Sequence, residues 1–177
     1  MKLCPVTAEE FSSVYDELER GFPPEERRDR EDARTLLSEG RYSLLHVEEG
    51  GVRCGCVGLW RLNGFLFLEH LLTYPDYRNR GLGARVLTLL SAEGLPIVLE
   101  AEPPISPLAE RRLGFYARCG FHRDPLPYLQ PPYRKGDAPT PLCLLSYPRP
   151  LSDAAAVASV LYREVYGKTY KMKGELQ

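Results

Sequence analysis

The stretch Arg-Asn-Arg-Gly-Leu-Gly-Ala at residues 78–84 places two cations and two glycines directly before an apolar helical pattern. A helix that begins near Gly81 has N–H groups without intrahelical partners and a partial positive charge at its first turn. Gly81 and Gly83 have no side chain that would keep a ligand away from these amides. Arg78 and Arg80 add charge-assisted donors suited to phosphate, so the stretch indicates a pyrophosphate site. The alternative interpretation is a solvated turn that leads into a flexible helix start.

Two other phosphate-binding motifs do not fit this stretch. It lacks the lysine followed by serine or threonine that ends a P-loop. It also lacks the third glycine of the dinucleotide-binding fingerprint, because it contains only Gly-Leu-Gly.

Glu69 is a second candidate for chemistry, because it interrupts the nearly continuous apolar run Phe65–Thr73. A carboxylate in a buried strand is costly unless it is paired or used. We therefore predict that Glu69 is a general base, acting directly or through water; the alternative is a glutamate that faces a wet cleft or pairs with an arginine. In a regular strand His70 points to the opposite face, and we interpret it as a structural histidine.

The elements that must position these residues follow from the apolar pattern of the first half of the chain. After a short opening strand, Thr7 and Glu10 predict a capping box at the start of a helix. The charged segment 22–32 is predicted to be solvated. The remaining elements are a short helix over Ala33–Glu39, strands over Tyr42–Glu48, Val52–Arg61 and Phe65–Thr73, a helix from about Gly81 and a strand over 96–101.

The second half of the chain continues the alternation of helices and strands. Ser106 and Pro107 predict the start of a helix that ends at Gly120. Its predicted apolar positions are Ala109, Leu113, Tyr116 and Ala117. A strand opening at Phe121–Arg123, a long proline-rich and tyrosine-rich loop over 124–141, a last strand over 142–147 and an amphipathic helix over 151–166 complete the prediction. The lysine-bearing tail is predicted to be loose, and the whole is an α/β fold around a mixed sheet.

Composition limits the classes of protein that fit. The chain has 177 residues, 44% of them hydrophobic, and a formal net charge of −1, which favours one soluble domain and gives no basic field for nucleic acid. The sequence shows no secretory signal and no apolar stretch of transmembrane length. Five cysteines, an odd number, fit reduced thiols in a cytoplasm. Cys54 and Cys56 lie two residues apart, but no histidine spacing completes a metal site, so no metal is expected.

Two motifs together resemble a known family. The first is the Arg-x-x-Gly-x-Gly pattern at Arg78, Gly81 and Gly83, which follows a predicted strand and opens a helix. The second is Gly-Phe-Tyr-Ala-Arg-Cys-Gly-Phe at 114–121. In this order and spacing, the motifs resemble the acyl-CoA signature and the later helix and strand of the GNAT N-acetyltransferase superfamily. The order of elements is similar over roughly residues 1–147.

The resemblance implies a mostly antiparallel central sheet flanked by helices, and acetyl-CoA as the cofactor. It implies that the pyrophosphate is held by the backbone of Asn79, Arg80, Gly81, Leu82, Gly83 and Ala84, beside Arg78. Leu71, Leu72 and Thr73 are implied to pair with the pantetheine as an added strand would. Tyr116 is implied to be the general acid near the cofactor sulfur; the alternative is an aromatic residue of the core.

An amine acceptor needs groups that attract and deprotonate it, since a free alkylamine is mostly ammonium at neutral pH. Glu100 and Glu102 end a strand on one face and could attract such a cation, or could be solvated. Tyr128 and Tyr133 in the 124–141 loop are predicted to form a wall of the acceptor site, the alternative being a proline-rich connection without a ligand.

We therefore predict an enzyme that transfers an acetyl group from acetyl-CoA to a primary amine of a small molecule, directly in a ternary complex. A protein amine as the acceptor is an alternative, as is a non-catalytic module that senses acyl-CoA. The catalytic domain is predicted over 1–150, with a helix and tail at 151–177 packed on it. Neither nucleic acid nor membrane is an expected partner, and the 151–166 helix could dock a second subunit in a homodimer.

Overall fold

Residues 1–170 are described by the computed structural model, in which the contacts divide the chain into one unit over 1–98 and a second from Leu99 onward. The helices are α1 (Phe11–Gly21), α2 (Arg30–Leu36), α3 (Leu82–Ser91), α4 (Pro107–Arg118) and α5 (Ala154–Glu164). The strands are β1 (Lys2–Pro5), β2 (Tyr42–Glu49), β3 (Val52–Leu62), β4 (Phe65–Thr73), β5 (Ile97–Ala101), β6 (His122–Arg123), β7 (Tyr128–Gln130) and β8 (Thr140–Tyr147). No helix of this described part is long and apolar enough to cross a bilayer.

The first unit contains an antiparallel sheet in which β1, β2, β3 and β4 lie in sequence order. The predicted strands therefore form with bounds that differ by one residue at most. Leu59 and Leu66 are fully buried on these strands, as the near-continuous apolar run of β4 predicts. The boundary between the two units lies within β5, between Val98 and Leu99.

A β-bulge at Glu69 interrupts the ladder between β3 and β4. His70 pairs with Gly58 and Leu68 pairs with Leu59, so Glu69 has no partner position on β3. Such an extra residue breaks the strict alternation of side chains. The prediction that His70 faces away from Glu69 is wrong for this reason: both side chains contact the connection between α1 and α2.

The predicted reciprocal hydrogen bonds between Thr7 and Glu10 form in the turn before α1, and Glu10 rather than Thr7 is the N-cap of the helix. The Thr7 N–H donates to Glu10 Oε2 at 3.0 Å, and the Glu10 N–H donates to Thr7 Oγ1 at 3.4 Å. The helix buries Phe11, Val14, Tyr15 and Leu18. Helix α2 lies over Arg30–Leu36 rather than over the predicted Ala33–Glu39. Its N-cap is Asp29, which has an extended backbone, and the helix begins directly after it.

The charged connection between α1 and α2 differs from its prediction as a solvated segment. Arg27 and Arg28 are half-buried, and Tyr15, which is buried in α1, donates to the carbonyl of Arg28 at 2.5 Å. A turn of 3-10 helix over Pro24–Glu26 lies within this connection. The charge run therefore belongs partly to the interior of the first unit.

The second unit contains β8 with two antiparallel neighbours, β6 and β7. The Oγ of Ser106 accepts from the Ala109 N–H at 3.1 Å, which confirms the predicted start of α4. Ala117 is exposed, so its prediction as an apolar contact is wrong. The predicted loop over 124–141 also contains the short strand β7, which pairs with the start of β8.

Helix α5 forms the last described element. It occupies Ala154–Glu164 within the predicted 151–166 helix, and Asp153 caps it by accepting from the Ala156 N–H at 2.9 Å. Ala158 and Leu161 are buried on one side of it. Most of the lysine-bearing tail lies outside the described residues.

Candidate active site

The start of α3 has the geometry of an anion site. Gly81 occupies the N-cap position with φ +70°, a left-handed conformation that glycine adopts without strain. A Cβ at this position would meet no atom within 4 Å, so the space in front of the helix is open. In the described chain, the first N–H of this turn that bonds to a carbonyl is that of Arg85, at 3.2 Å from Gly81 O. The amides of Leu82, Gly83 and Ala84 are therefore available to a ligand.

Two arginines precede this helix start and are oriented by backbone carbonyls. Arg78 Nε donates to Thr73 O at 3.3 Å, and Arg80 Nη2 donates to Asp76 O at 2.8 Å. The Arg80 guanidinium also lies 5.2 Å from the ring centroid of Tyr77. Since a guanidinium carries five N–H groups, each arginine keeps donors for phosphate oxygens.

The end of β4 leads directly into this site. Leu71, Leu72 and Thr73 pair with Val57, Cys56 and Gly55 of β3 along one edge of the strand. The side chain of Leu72 is buried and that of Leu71 is half-buried. Pairing of this strand end with pantetheine stays a prediction.

Glu69 contacts a cation and an indole. Arg28 Nη2 lies 3.3 Å from Glu69 Oε1, and Trp60 Nε1–H donates to Glu69 Oε2 at 2.9 Å. The Arg28 guanidinium lies 5.5 Å from the ring centroid of Trp60. The side chain of Glu69 is 2% exposed and that of Arg28 is 15% exposed. The arginine pairing that was the alternative for Glu69 is thus present, and its role as a base stays a prediction.

His70 has the contacts of a structural residue. Its Nε2 lies 3.1 Å from the carbonyl oxygen of Glu26, and its ring contacts Phe22 edge-on at 4.7 Å between centroids. Burial lowers the pKa of His70, which keeps the ring neutral at physiological pH. A neutral Nε2–H that donates to a carbonyl fixes the tautomer and the position of the connection between α1 and α2.

Glu100 lies at the centre of a hydroxyl network in the second unit. The hydroxyls of Tyr128 and Tyr166 donate to its two carboxylate oxygens, the latter at 2.6 Å. Gln130 Nε2 in turn donates to the hydroxyls of Tyr166, at 3.0 Å, and Tyr133, at 3.3 Å. Burial next to a carboxylate raises the pKa of Tyr128, so its hydroxyl stays protonated. The structure therefore brings three of the predicted acceptor-site residues together.

The other predicted carboxylate, Glu102, is separate from this network. It lies beyond the end of β5 and forms an ion pair of 2.8 Å with Arg112 of α4. Both side chains are more than one-third exposed, so the pair contributes little to stability. Of the two carboxylates, Glu100 is the one held by neighbouring hydroxyls.

Tyr116 lies on α4 and is half-buried. Its ring contacts those of Phe115 and Phe121 at 5.1 and 5.6 Å between centroids. Burial raises the pKa of Tyr116 to about 12, so the phenol carries its proton at neutral pH. The residue is thus protonated, as a general acid must be.

A cavity of 450 Å³ opens in the second unit beside Tyr128. Its walls include four prolines and three tyrosines, namely Pro103, Pro125, Pro127, Pro141, Tyr128, Tyr162 and Tyr170. The proline-rich and tyrosine-rich segment therefore contributes to a concave apolar surface, the type of surface that holds small ligands.

Three residues that form polar contacts in these sites could not be identified from the sequence. Arg28 was hidden in a charge run that indicated a solvated segment, and no spacing pointed to its pairing with Glu69. Trp60 is the one tryptophan of the chain, which could have singled it out, but nothing in the sequence placed its indole N–H beside a carboxylate. Tyr166 ends the amphipathic pattern of the last helix, where an aromatic residue indicates packing rather than a bond to Glu100.

Comparison with known proteins identifies the class. The family profile for the acetyltransferase (GNAT) domain matches residues 40–123. A solved structure from Bacteroides thetaiotaomicron, described as a GNAT-family acetyltransferase, is 32% identical in sequence. Its superposition covers 94% of this chain and 99% of that one, with a TM-score of 0.87. The chain belongs to the GNAT acetyltransferase family.

Two further relatives match over different extents. The Bacillus subtilis (strain 168) protein YjbC, assigned as an acetyltransferase, is 32% identical over 109 residues, which are 60% of this chain and 55% of that protein. The chain thus matches about half the length of this curated relative. An aminoglycoside 6'-N-acetyltransferase complexed with coenzyme A has a TM-score of 0.56 at 14% identity, covering 86% of this chain and all of that one, so it shares the fold. The predicted fold, α/β with mostly antiparallel strands and flanking helices, is confirmed.

Proposed function

We propose that this protein transfers the acetyl group of acetyl-CoA to a primary amine of a small molecule, directly in a ternary complex. The observation that carries the proposal is the start of α3, where the open backbone amides of Leu82, Gly83 and Ala84 follow Arg78 and Arg80 in the chain. These groups fit a pyrophosphate in both charge and access. Asn79 and Arg80, together with the amides of Gly81–Ala84, would hold that part of the cofactor. The bound cofactor supplies the activated acetyl thioester.

The amine must lose a proton before or during attack on the thioester. Glu69 is the proposed base, directly or through a water molecule. The hydrogen bond from Trp60 and the ion pair with Arg28 hold its carboxylate in one orientation. Tyr116 is the proposed acid that protonates the departing thiolate, and its raised pKa keeps the required proton in place.

The acceptor is proposed to be cationic in solution and to be attracted by Glu100. The two tyrosine hydroxyls fix the carboxylate without neutralising it, because a hydroxyl donates a hydrogen bond but carries no charge. Tyr128, Tyr133 and Glu102 are the other proposed acceptor residues. All five cysteines are free thiols, which fits the proposed cytoplasmic location.

A non-catalytic module that binds acyl-CoA is the second candidate function. The near-complete burial of Glu69 between Arg28 and Trp60 favours it, because a base must reach the proton that it removes. In this case the anion site at α3 keeps its role while Glu69 serves the fold.

The test is the release of free thiol from acetyl-CoA in the presence of a panel of amines, which includes polyamines, aminoglycosides, aromatic amines and a peptide with a free N-terminus. A small amine that raises thiol release above the blank supports the proposed enzyme. If only the peptide raises thiol release, the acceptor is a protein amine. Binding of coenzyme A by calorimetry without turnover of any amine indicates the sensing module. Absence of both contradicts the proposal.

A further inference from the structure

We propose that Arg28 is a positioning residue that holds the Glu69 carboxylate and sets the pH range in which it acts. The inference rests on the proposed function, in which Glu69 is the base. It assigns a role to a segment, the connection between α1 and α2, that the pyrophosphate site and the acceptor network do not use.

The contacts among Arg28, Glu69 and Trp60 determine the orientation of the carboxylate. Arg28 is 3.3 Å from one oxygen and the indole N–H is 2.9 Å from the other, so each oxygen has its own donor. The guanidinium also lies over the indole ring, at 5.5 Å from its centroid. Rotation of the carboxylate therefore breaks at least one of these interactions.

The segment that carries Arg28 is fixed to the first unit at several points. Tyr15 donates to the carbonyl of Arg28 at 2.5 Å, and Arg27 Nη1 donates to the hydroxyl of Tyr15 at 3.0 Å. The carbonyl of Glu26 lies 3.1 Å from His70 Nε2. His70 directly follows Glu69 in β4. The segment is therefore attached to the bulge by two neighbouring contacts, the ion pair between Arg28 and Glu69 and the contact between the Glu26 carbonyl and His70.

Arg28 is a cation in direct contact with the Glu69 carboxylate, at 3.3 Å. His70 Nδ1 is 4.0 Å from the Glu69 carboxylate, but burial lowers its pKa and keeps it neutral. Tyr42 faces the same cluster, and burial raises its pKa well above 10. Arg27 also acts on His70 from the same segment, and its side chain contacts Tyr15, Phe22 and Glu19. Removal of the Arg28 charge therefore weakens the ionised form of Glu69.

The first experiment compares Arg28→Met, Arg28→Lys, Glu69→Gln and the double variant Arg28→Met/Glu69→Gln with the wild type. Arg28→Met is expected to lower kcat about 30-fold, to leave the KM for acetyl-CoA unchanged, and to move the acidic limb of the kcat/KM profile about one pH unit higher. Arg28→Lys, which keeps the charge, restores most of the pH profile. In the Glu69→Gln background, Arg28→Met changes kcat less than about twofold, because Arg28 acts through Glu69. Arg20→Met, which removes an exposed arginine of α1 that pairs with Glu17, is the control and leaves the pH profile unchanged.

A second readout separates this inference from the proposed function. Carboxyl 13C NMR follows the titration of Glu69, assigned with the Glu69→Gln variant, in the wild type and in Arg28→Met. A titration midpoint that is about one pH unit higher in Arg28→Met supports the inference that Arg28 stabilises the ionised carboxylate of Glu69. This result would stand even if no amine were acetylated, because the absence of acetylation contradicts only the proposed function. An unchanged midpoint overturns the inference even if the enzyme is active. If Arg28→Met does not fold by circular dichroism, Arg28→Gln takes its place in both experiments.

Discussion

The hydroxyl of Tyr166 donates to Glu100 Oε2 at 2.6 Å and joins residues that lie 66 positions apart in the chain. Tyr128 donates to the other oxygen of the same carboxylate. A hydrogen bond to a charged group is worth about 1.5–3 kcal/mol, so the two donors together stabilise one orientation of the carboxylate.

Tyr166→Phe is expected to raise the KM for the amine about tenfold and to leave the KM for acetyl-CoA unchanged, because the variant frees one oxygen of Glu100 from its donor. Steady-state kinetics with the preferred amine measures both constants. Tyr147→Phe removes a phenol hydroxyl elsewhere in the second unit and serves as the control. An equal rise in both variants would mean that the Glu100 network does not select the acceptor.

Gly81→Ala is expected to destabilise the protein by about 1–2 kcal/mol, because alanine is strained at the φ of +70°. The affinity for coenzyme A is expected to fall, since the relaxed backbone no longer presents its amides in the same direction. Urea unfolding and isothermal titration calorimetry measure the two effects. Gly40→Ala, at a position with open space and no left-handed backbone, is the control, and an equal loss of affinity in that variant contradicts the pyrophosphate site.

Gly58→Ala is expected to disturb the bulge at Glu69. The new Cβ would lie 2.9 Å from the hydroxyl of Tyr42 and 3.1 Å from His70 Nδ1, and both of these side chains are buried. Overpacking of this kind costs about 1–3 kcal/mol. The variant is expected to lose turnover, measured by thiol release, and to keep its binding of coenzyme A, measured by calorimetry. Normal turnover would show that displacement of Tyr42 and His70 does not affect the role of the bulge.

Tyr116→Phe is expected to lower kcat about 100-fold with little change in stability, since only the phenol oxygen is removed. Because the pKa of Tyr116 is about 12, the wild-type rate should show no basic limb from this residue below about pH 11. Thiol release between pH 7 and pH 10 checks both statements. A variant that retains the wild-type kcat would return Tyr116 to the role of a core aromatic.

Glu10 is expected to make stability depend on acid pH. The Thr7 backbone N–H and the side chain of Arg53 lower the pKa of Glu10 from 4.5 to about 2. A carboxyl whose pKa is lower in the folded state stabilises the fold above the unfolded value, and this contribution is lost as the pH falls from about 4.5 to about 2. Urea midpoints across this window should fall less steeply in Glu10→Gln than in the wild type. Glu39→Gln, at an exposed position, should keep the wild-type slope.

The sequence alone predicted β2, β3, β4 and the capped start of α4, because each depends on local patterns. The alternation of apolar residues specifies β2, β3 and β4, and Ser106 specifies the start of α4. The anion site at 78–84, which rests on the type and spacing of two arginines and two glycines, stays a prediction. None of these features requires knowledge of a distant partner.

The contacts of Glu69 could not be predicted in this way. Its partners Arg28 and Trp60 are 41 and 9 positions away, and only the folded chain brings them to one carboxylate. The bulge also has no local signature in the run Phe65–Thr73, so regular alternation placed His70 on the wrong face. The network of Glu100 is similar, because Tyr166 reaches it from the end of the last helix.

The bulge has a consequence for the gene as well as for the chain. Since Glu69 has no partner on β3, loss of its single codon would leave every remaining pair from Leu68 to Thr73 in register and every other side chain on its present face. The ladder between β3 and β4 gains no pairing from this residue. The extra position therefore serves the contacts of its side chain, the ion pair with Arg28 and the hydrogen bond from Trp60, rather than the pairing of the strands.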